Sequence, residues 1–333
     1  LVEVLIGIGA VLLLFMSFQA RSLRRARATA EQTAREFEFT ARHDPLTGLP
    51  NRIAFHDALE QAISTGRSRD GGRLAVLALD LDGFKAVNDI LGHASGDDLL
   101  RSVADRLRRI VADWGPRDVV SRLGGDEFTV LTRLSGGEEE AVARGKLLID
   151  GLHEAHTLSG GNVVVNATIG VALAQDGESG SSMLQNADLA LSHAKATGKG
   201  RVQLYDVSMR ADATRRRQIE EGITQALEDG DIATHYQPQV DMLTGRIVGL
   251  EALARWRHPS LGWVPPSEFI PIAEASGRIV EIGERILEQA CRDALALSME
   301  LPVAVNLSSL SLAQPQFVQR LIQVLESRRD MNR

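Results

Sequence analysis

The sequence predicts an α+β architecture in its first half, with helices covering a mostly antiparallel sheet, and three observations carry that prediction. The run LAVLALDLD, from Leu74 to Asp82, is apolar along its length and ends on acids, the composition of a strand buried on both faces. Two further apolar runs, VVSRL and FTVLT, flank Gly124-Gly125-Asp126-Glu127; the glycine pair supplies the positive φ of a hairpin turn and sets two carboxylates at its tip. Leu99, Leu100, Val103, Leu107 and Ile110 recur on one face of a helix after Ser95, the stripe of an amphipathic helix facing a core. A strand from Val163 (VVVNATIGVALA), a helix and a last strand complete this domain near Tyr205.

The chain opens differently. Val4 to Phe18 is apolar except for Ser17, and Arg21, Arg24, Arg25 and Arg27 follow it at once. Residues 1–20 are expected to be a transmembrane helix; the run is short of the roughly 20 residues that span a bilayer, but the chain begins with leucine rather than methionine. A cleaved signal peptide would carry its positive charges before the apolar run, not after it. Arginines behind the span place everything downstream in the cytoplasm. Residues 21–42 lack proline and glycine and read as a helical linker. Leu23, Ala26, Ala30, Thr33 and Phe37 form a narrow stripe on it, suited either to pairing with a second copy or to a solvated spacer.

Composition excludes several classes. A formal net charge of -7 argues against a protein that coats a nucleic acid polymer. Cys291 is the only cysteine, so an intrachain disulfide and a cysteine-built zinc site are impossible. No GxxxxGK[ST] run exists, which removes the P-loop hydrolases. An anionic ligand must be met locally, by a metal or by a few placed cations. Two glycines and two acids alone would be an ordinary turn; the acids at the end of the Leu74–Asp82 run suggest a partner for them.

Four segments together are more specific. DPLTGLPNR (Asp44 to Arg52), LDLDGFKAVNDILGHASGDDLL, RLGGDEF and NADLALSHAKATGKGR resemble, in order and spacing, the GGDEF domain of diguanylate cyclases, here residues 43–207. The resemblance implies a palm-like fold related to nucleotidyl cyclases and polymerases, and condensation of two GTP into cyclic di-GMP with release of pyrophosphate. It implies Mg2+ (or Mn2+) held by Asp80, the backbone carbonyl of Leu81 and Asp126, with Glu127 as a further ligand or as the group that helps deprotonate the attacking hydroxyl. Asn88 and Asp97 match the guanine-reading positions. Lys85, Lys195 and Lys199, with backbone amides around Gly83 and Phe84, are expected at the phosphates, and Lys85 is counted with Asp126 and Glu127 among the catalytic groups. Asp82 is read as support behind the metal ligands and His93 as a packed loop residue. One domain binds one GTP, so the active form is expected to be a homodimer through this domain and the linker helix.

Three positions depart from the family pattern. Gly115 stands where the arginine of a product-inhibition motif ending at Asp118 is usual, with Arg117 nearby; feedback by product at that site is not expected. Lys199 replaces an arginine, a point charge in place of a bidentate fork. Ser192 replaces a tyrosine, read as a packing change.

The polar stretch DVSMRADATRRRQ reads as a linker over 208–217. Beyond it, strand-like runs meet at Thr244-Gly245, and Pro265-Pro266 opens a helix. Tyr236-Gln237-Pro238, Glu251-Ala252-Leu253 and Asn306-Leu307-Ser308 resemble the EAL phosphodiesterase domain, which hydrolyses cyclic di-GMP. The resemblance implies the N-terminal half of a TIM-like barrel over 218–333, Glu251 and Asn306 as metal ligands at strand ends, and Gln237 and Arg255 as substrate contacts. Because the later acidic ligands have no counterpart, the domain is expected to be incomplete and inactive at this length. The whole reads as a membrane-anchored diguanylate cyclase of the bacterial inner membrane with its catalytic domains in the cytoplasm. The alternative is a GTP-binding module without turnover that regulates the phosphodiesterase beside it.

Overall fold

The computed structural model describes residues 39–65, 72–296 and 301–314, with single positions as far as 323. The segment 1–20 and the stripe from Leu23 to Phe37 lie outside the described residues. Among the described residues no helix is long and apolar enough to cross a membrane. The chain divides into two compact units at Met209 and Arg210.

In the first unit the elements run α1 (Arg52–Thr65), β1 (Arg73–Asp82), α2 (Phe84–Leu91), α3 (His93–Ala112), β2 (Val119–Gly124), β3 (Glu127–Leu134) and α4 (Gly137–His153). They continue with β4 (His156–Leu158), β5 (Gly161–Val163), β6 (Asn166–Leu173), α5 (Gly180–Thr197) and β7 (Val202–Leu204). Five strands form a sheet in the order β2-β3-β1-β6-β7, and only the β6–β7 pairing is parallel. β1 is therefore central. Ala75, Leu77, Leu79 and Leu81 pack under α3 and α4, while Leu74, Val76 and Ala78 face Phe55 and Leu59 of α1 and Met183, Ala187 and Leu191 of α5. Helices on both faces explain why this strand is apolar without alternation.

Several local readings need correction. The helix expected after Ser95 begins at His93, after Gly92 at φ 82°; His93 is exposed at its first position and not a packed loop residue. The strand expected from Val163 begins at Asn166, because Val163 pairs with His156 in the separate β4–β5 hairpin. Val164, between the two, is 57% exposed. Ser192 is exposed on α5, so it marks no change of packing.

His156 is fully buried beside α3. Its Nδ1 lies 2.7 Å from Ser102 Oγ and its Nε2 3.1 Å from the Leu152 carbonyl. An Nε2–H tautomer satisfies both, with the serine donating to Nδ1 and the ring donating to the carbonyl. Arg106 lies 3.2 Å from Nε2 and donates to the carbonyls of Gly151, Glu154 and Ala155, closing the end of α4. Burial, and then the Arg106 charge, hold the imidazole below its ordinary 6.5. The unfolded chain therefore takes up this proton first, so the contribution of His156 is full above about pH 6.5 and falls as pH drops through that value to the folded pKa. The melting temperature is expected to decline as pH falls from about 7.5 to 5.5, and His156→Gln should flatten that decline relative to its own value at pH 7.5. An identical decline in both proteins would assign it to other groups.

The second unit contains α6 (Ser208–Asp229), β8 (Ile232–Val240), β9 (Ile247–His258), β10 (Gly262–Val264), α7 (Pro266–Ala275), α8 (Ile279–Ala296), β11 (Val303–Val305) and α9 (Ser309–Leu312). Residues 208–217, read as a linker, form the first half of α6 without a break. The β8–β9 hairpin closes at Gly245, φ 67°, where Asp241 accepts from the N–H groups of Leu243 and Thr244. β8 and β10 pair antiparallel with β9, and β11 pairs parallel with it. Trp256, Phe269, Ile219, Ile223 and Ile282 form the core. Arg215 of α6 makes a two-pronged ion pair with Glu268 of α7, the Nη2–Oε2 bond measuring 2.9 Å. Only one of these pairings is parallel, so the described residues form an open four-stranded sheet and do not display the half-barrel.

Candidate functional site

The end of β1 is where the first unit gathers its charges. Strand register sets Asp80 opposite Glu127 on β3 and opposite Thr168 on β6. Asp126 occupies the β2–β3 turn between Gly125, φ 53°, and Glu127. Asp80 has a side chain 14% exposed, and Lys195, in the last turn of α5, places its Nζ 2.6 Å from Asp80 Oδ2. Burial pushes the Asp80 carboxyl above the usual range against the pull of Lys195, and the charges of Asp126 and Asp82 push the same way. Leu81 is buried, and its main chain follows directly.

Asp82 is tied into the scaffold. Thr168 Oγ1 lies 2.9 Å from both of its carboxylate oxygens, and the Gly200 N–H donates to Oδ2 at 3.1 Å. These bonds hold the loop after α5, which carries exposed Lys199, against the end of the sheet.

The turn itself is clamped by a residue that the sequence reading missed. Arg122 donates from Nε and Nη2 to the Gly125 carbonyl at 3.0 and 2.7 Å, and from Nη1 to Asp44 Oδ1 at 2.9 Å. Asp44 also accepts from the Thr47 N–H and hydroxyl. Burial pushes the Asp44 carboxyl up, but the bonds from Thr47 and Arg122 outweigh it and leave it below the usual range. An acid opening one motif and a cation beside the glycine pair of another were the available signal.

Gly83, φ 81°, turns the chain from β1 into α2, whose first residues are Phe84 and exposed Lys85. Asn88 on α2 lies over Gly96 on α3; a Cβ on Gly96 would come within 1.9 Å of Asn88 Oδ1. Asp97 is exposed on the next position, so the two expected guanine readers sit on neighbouring helices beyond the acids.

Among the described residues no three metal-ligating side chains converge. Asp80 and Asp126 with the Leu81 carbonyl are hard oxygen donors of the kind Mg2+ takes, and the ammonium of Lys195 stands against Asp80 as a cation. The donor chemistry fits.

Asp118 has its own partner. Its side chain is 6% exposed, lies 3.5 Å from Arg144 Nη1 and accepts from the Arg133 N–H at 3.2 Å. Arg144 also pairs with Glu140 at 2.7 Å and stacks over Trp114 at 4.9 Å. Arg117 is exposed, so Arg144, not Arg117, serves this carboxylate.

In the second unit Asn306 Nδ2 donates to Glu251 Oε1 at 2.6 Å. Gln237 is the cross-strand partner of Glu251. Glu251 lies within β9 and not at its end, while Asn306 directly follows β11. Arg255 lines a cavity of about 340 Å³ with Asn306, Ser308, Glu274 and apolar residues of α7 and α8. Tyr236 donates to Asp293 at 2.6 Å; burial and then that carboxylate push the phenol well above its usual range.

Residues 41–201 match the family "Diguanylate cyclase, GGDEF domain", and residues 220–332 match the family "EAL domain". The chain is 41% identical over 291 residues to "Cyclic di-GMP phosphodiesterase NbdA" of Pseudomonas aeruginosa, covering 86% of this chain and 36% of that protein. It is 39% identical over 325 residues to "Bifunctional diguanylate cyclase/cyclic di-GMP phosphodiesterase MucR" of the same organism, covering 95% and 47%. The chain thus spans less than half the length of these relatives. A solved structure of Vibrio cholerae LapD, S helix-GGDEF-EAL bound to c-di-GMP, matches with a TM-score of 0.58 and 19% identity over 91% of this chain and 70% of that one, a likeness of fold. With both domains present in series and its relatives built the same way, the chain belongs to the GGDEF–EAL family of cyclic di-GMP signalling proteins.

Proposed function

We propose that the first unit is a diguanylate cyclase that condenses two GTP molecules into cyclic di-GMP. The observation that carries this reading is the ion pair of Lys195 with Asp80 at the end of the central strand, with the Asp126 charge near enough to push that carboxyl up and Glu127 opposite Asp80 in register. Asp80, Asp126 and the Leu81 carbonyl would hold Mg2+ or Mn2+, which when bound would supply positive charge against the triphosphate and the departing pyrophosphate. Lys85, Lys195 and Lys199 and the amides after Gly83 hold the phosphates, and Asn88 and Asp97 read the guanine. The 3′-oxygen of each GTP forms a bond to the α-phosphorus of the other as the bond from that phosphorus to pyrophosphate breaks. The hydroxyl proton passes to Glu127. Two such steps close the ring and release two pyrophosphates. One chain supplies one GTP, so two copies face each other, and we place the linker helix and the membrane anchor at the cytoplasmic membrane as the devices that hold them together.

The EAL unit, in this reading, receives cyclic di-GMP beside Glu251 and Asn306, with Gln237 and Arg255 as contacts. A second reading draws support from NbdA, named a phosphodiesterase: the GGDEF domain binds GTP without turnover and tunes the EAL domain. Incubation of the protein, fused to a dimerising coiled coil, with GTP and Mg2+ separates the two by mass spectrometry of the products. Cyclic di-GMP supports the cyclase; bound, unconverted GTP supports the regulatory module.

Asp118→Ala is expected to leave the sensitivity of turnover to added product unchanged within about twofold, because Arg144 already occupies that carboxylate. Strong inhibition by product that disappears in the variant would overturn that assignment.

A further inference from the structure

We propose that Lys195 is a resident counter-ion that occupies Asp80 until a triphosphate draws it away, so that the site takes its divalent cation together with nucleotide and poorly without it. The inference rests on the reading of Asp80 as a metal ligand.

Two observations carry it. Lys195 Nζ sits 2.6 Å from Asp80 Oδ2, direct contact between a cation and the carboxylate read as a metal ligand. The two partners also differ in freedom: the Asp80 side chain is 14% exposed on the central strand, whereas that of Lys195 is 36% exposed in the last turn of α5. The carboxylate stays and the ammonium can leave.

A buried carboxylate without a partner is costly, so the free protein gains by keeping Lys195 in place. The ammonium is a compact charge on a flexible stem and can transfer to another anion. A divalent cation arriving alone must displace it and leave it unpaired. A triphosphate offers Lys195 new oxygens as the metal takes Asp80, and the exchange keeps every charge matched. Coupling of this kind is reciprocal, so metal should tighten nucleotide by the same factor that nucleotide tightens metal.

The test measures Mn2+ binding to the whole chain by electron paramagnetic resonance, counting only the binding lost in Asp80→Asn so that other sites drop out. Without nucleotide, Lys195→Met and Lys195→Gln should bind Mn2+ at least about fivefold tighter than wild type, and Lys195→Arg should stay near wild type. A GTP analogue with a non-hydrolysable α,β bridge should tighten Mn2+ in wild type and do so much less in Lys195→Met. Equal or weaker Mn2+ binding in both neutral variants, or Mn2+ binding that ignores Asp80→Asn, overturns the proposal. Because the readout is metal binding, a protein that makes no cyclic di-GMP yet gives the expected pattern removes the cyclase reading and leaves this one standing.

Discussion

Asp126→Asn is expected to lower cyclic di-GMP formation by about a thousandfold or more, an effect of roughly 4 kcal/mol on the transition state. The substitution exchanges a charged oxygen donor for a neutral amide at a turn position whose charge reaches Asp80. The fold has little at stake: Asp126 is partly exposed in a turn whose shape comes from the glycine pair and from Arg122 gripping the Gly125 carbonyl. The melting temperature should therefore hold, since surface changes away from such features are usually within about 0.5 kcal/mol. Loss of the nearby charge also removes one of the influences that push the Asp80 carboxyl up. Steady-state rates with GTP and Mg2+, beside a thermal melt, check both halves. A variant with more than about a tenth of wild-type turnover would remove Asp126 from the site.

Gly170→Ala should act through the scaffold. Gly170 lies on β6 under α5, and a Cβ there would come within 2.2 Å of the Ala187 carbonyl oxygen and of the Leu191 nitrogen. Both are backbone atoms, so no side chain can turn aside. The helix must lift, which disturbs the contacts of Met183, Ala187 and Leu191 with the sheet. Overpacking of this kind costs about 1–3 kcal/mol, and here the upper part of that range is expected. Lys195 stands one turn beyond Leu191, so the same lift carries it away from Asp80. The expected result is a melting temperature lower by several degrees together with weaker GTP binding, measured by calorimetry and by nucleotide titration. Unchanged values in both would show that α5 can shift without consequence.

The parts of the fold that were legible in the sequence are those where one local cause suffices. The acidic hairpin was readable because Gly124-Gly125 divides two apolar runs. β1 was readable because burial on both faces leaves no polar residue between Arg73 and Asp80. Errors arose where local signals run together. VVVNATIGVALA reads as one strand, yet the chain turns within it and Val163 joins another hairpin. The start of α3 was placed late because Gly92, with φ 82°, was not taken as a boundary. The linker before the EAL unit was inferred from polarity, whereas a helix with many exposed positions is just as polar.

At the candidate site, the acids and Lys195 were named from the sequence because each stands in a motif. Their contacts were not. Arg122 and Asp44 are 78 positions apart and meet only because β2 runs beside the turn that opens the domain. Arg144 reaches Asp118 from α4, and no spacing rule connects those two residues. The 2.6 Å contact of Lys195 with Asp80 likewise depends on how α5 lies on the sheet, which Gly170 permits.

In the proposed reading one chain holds half of a GTP-condensing site. The most direct test of that reading is the rate of cyclic di-GMP formation per chain, with GTP and Mg2+ saturating, as protein concentration is raised. The rate per chain should rise with concentration toward a plateau, with two pyrophosphates released for each product. GTP that remains bound and unconverted at every concentration, or a rate per chain that does not change on dilution well below the dimer range, would contradict it.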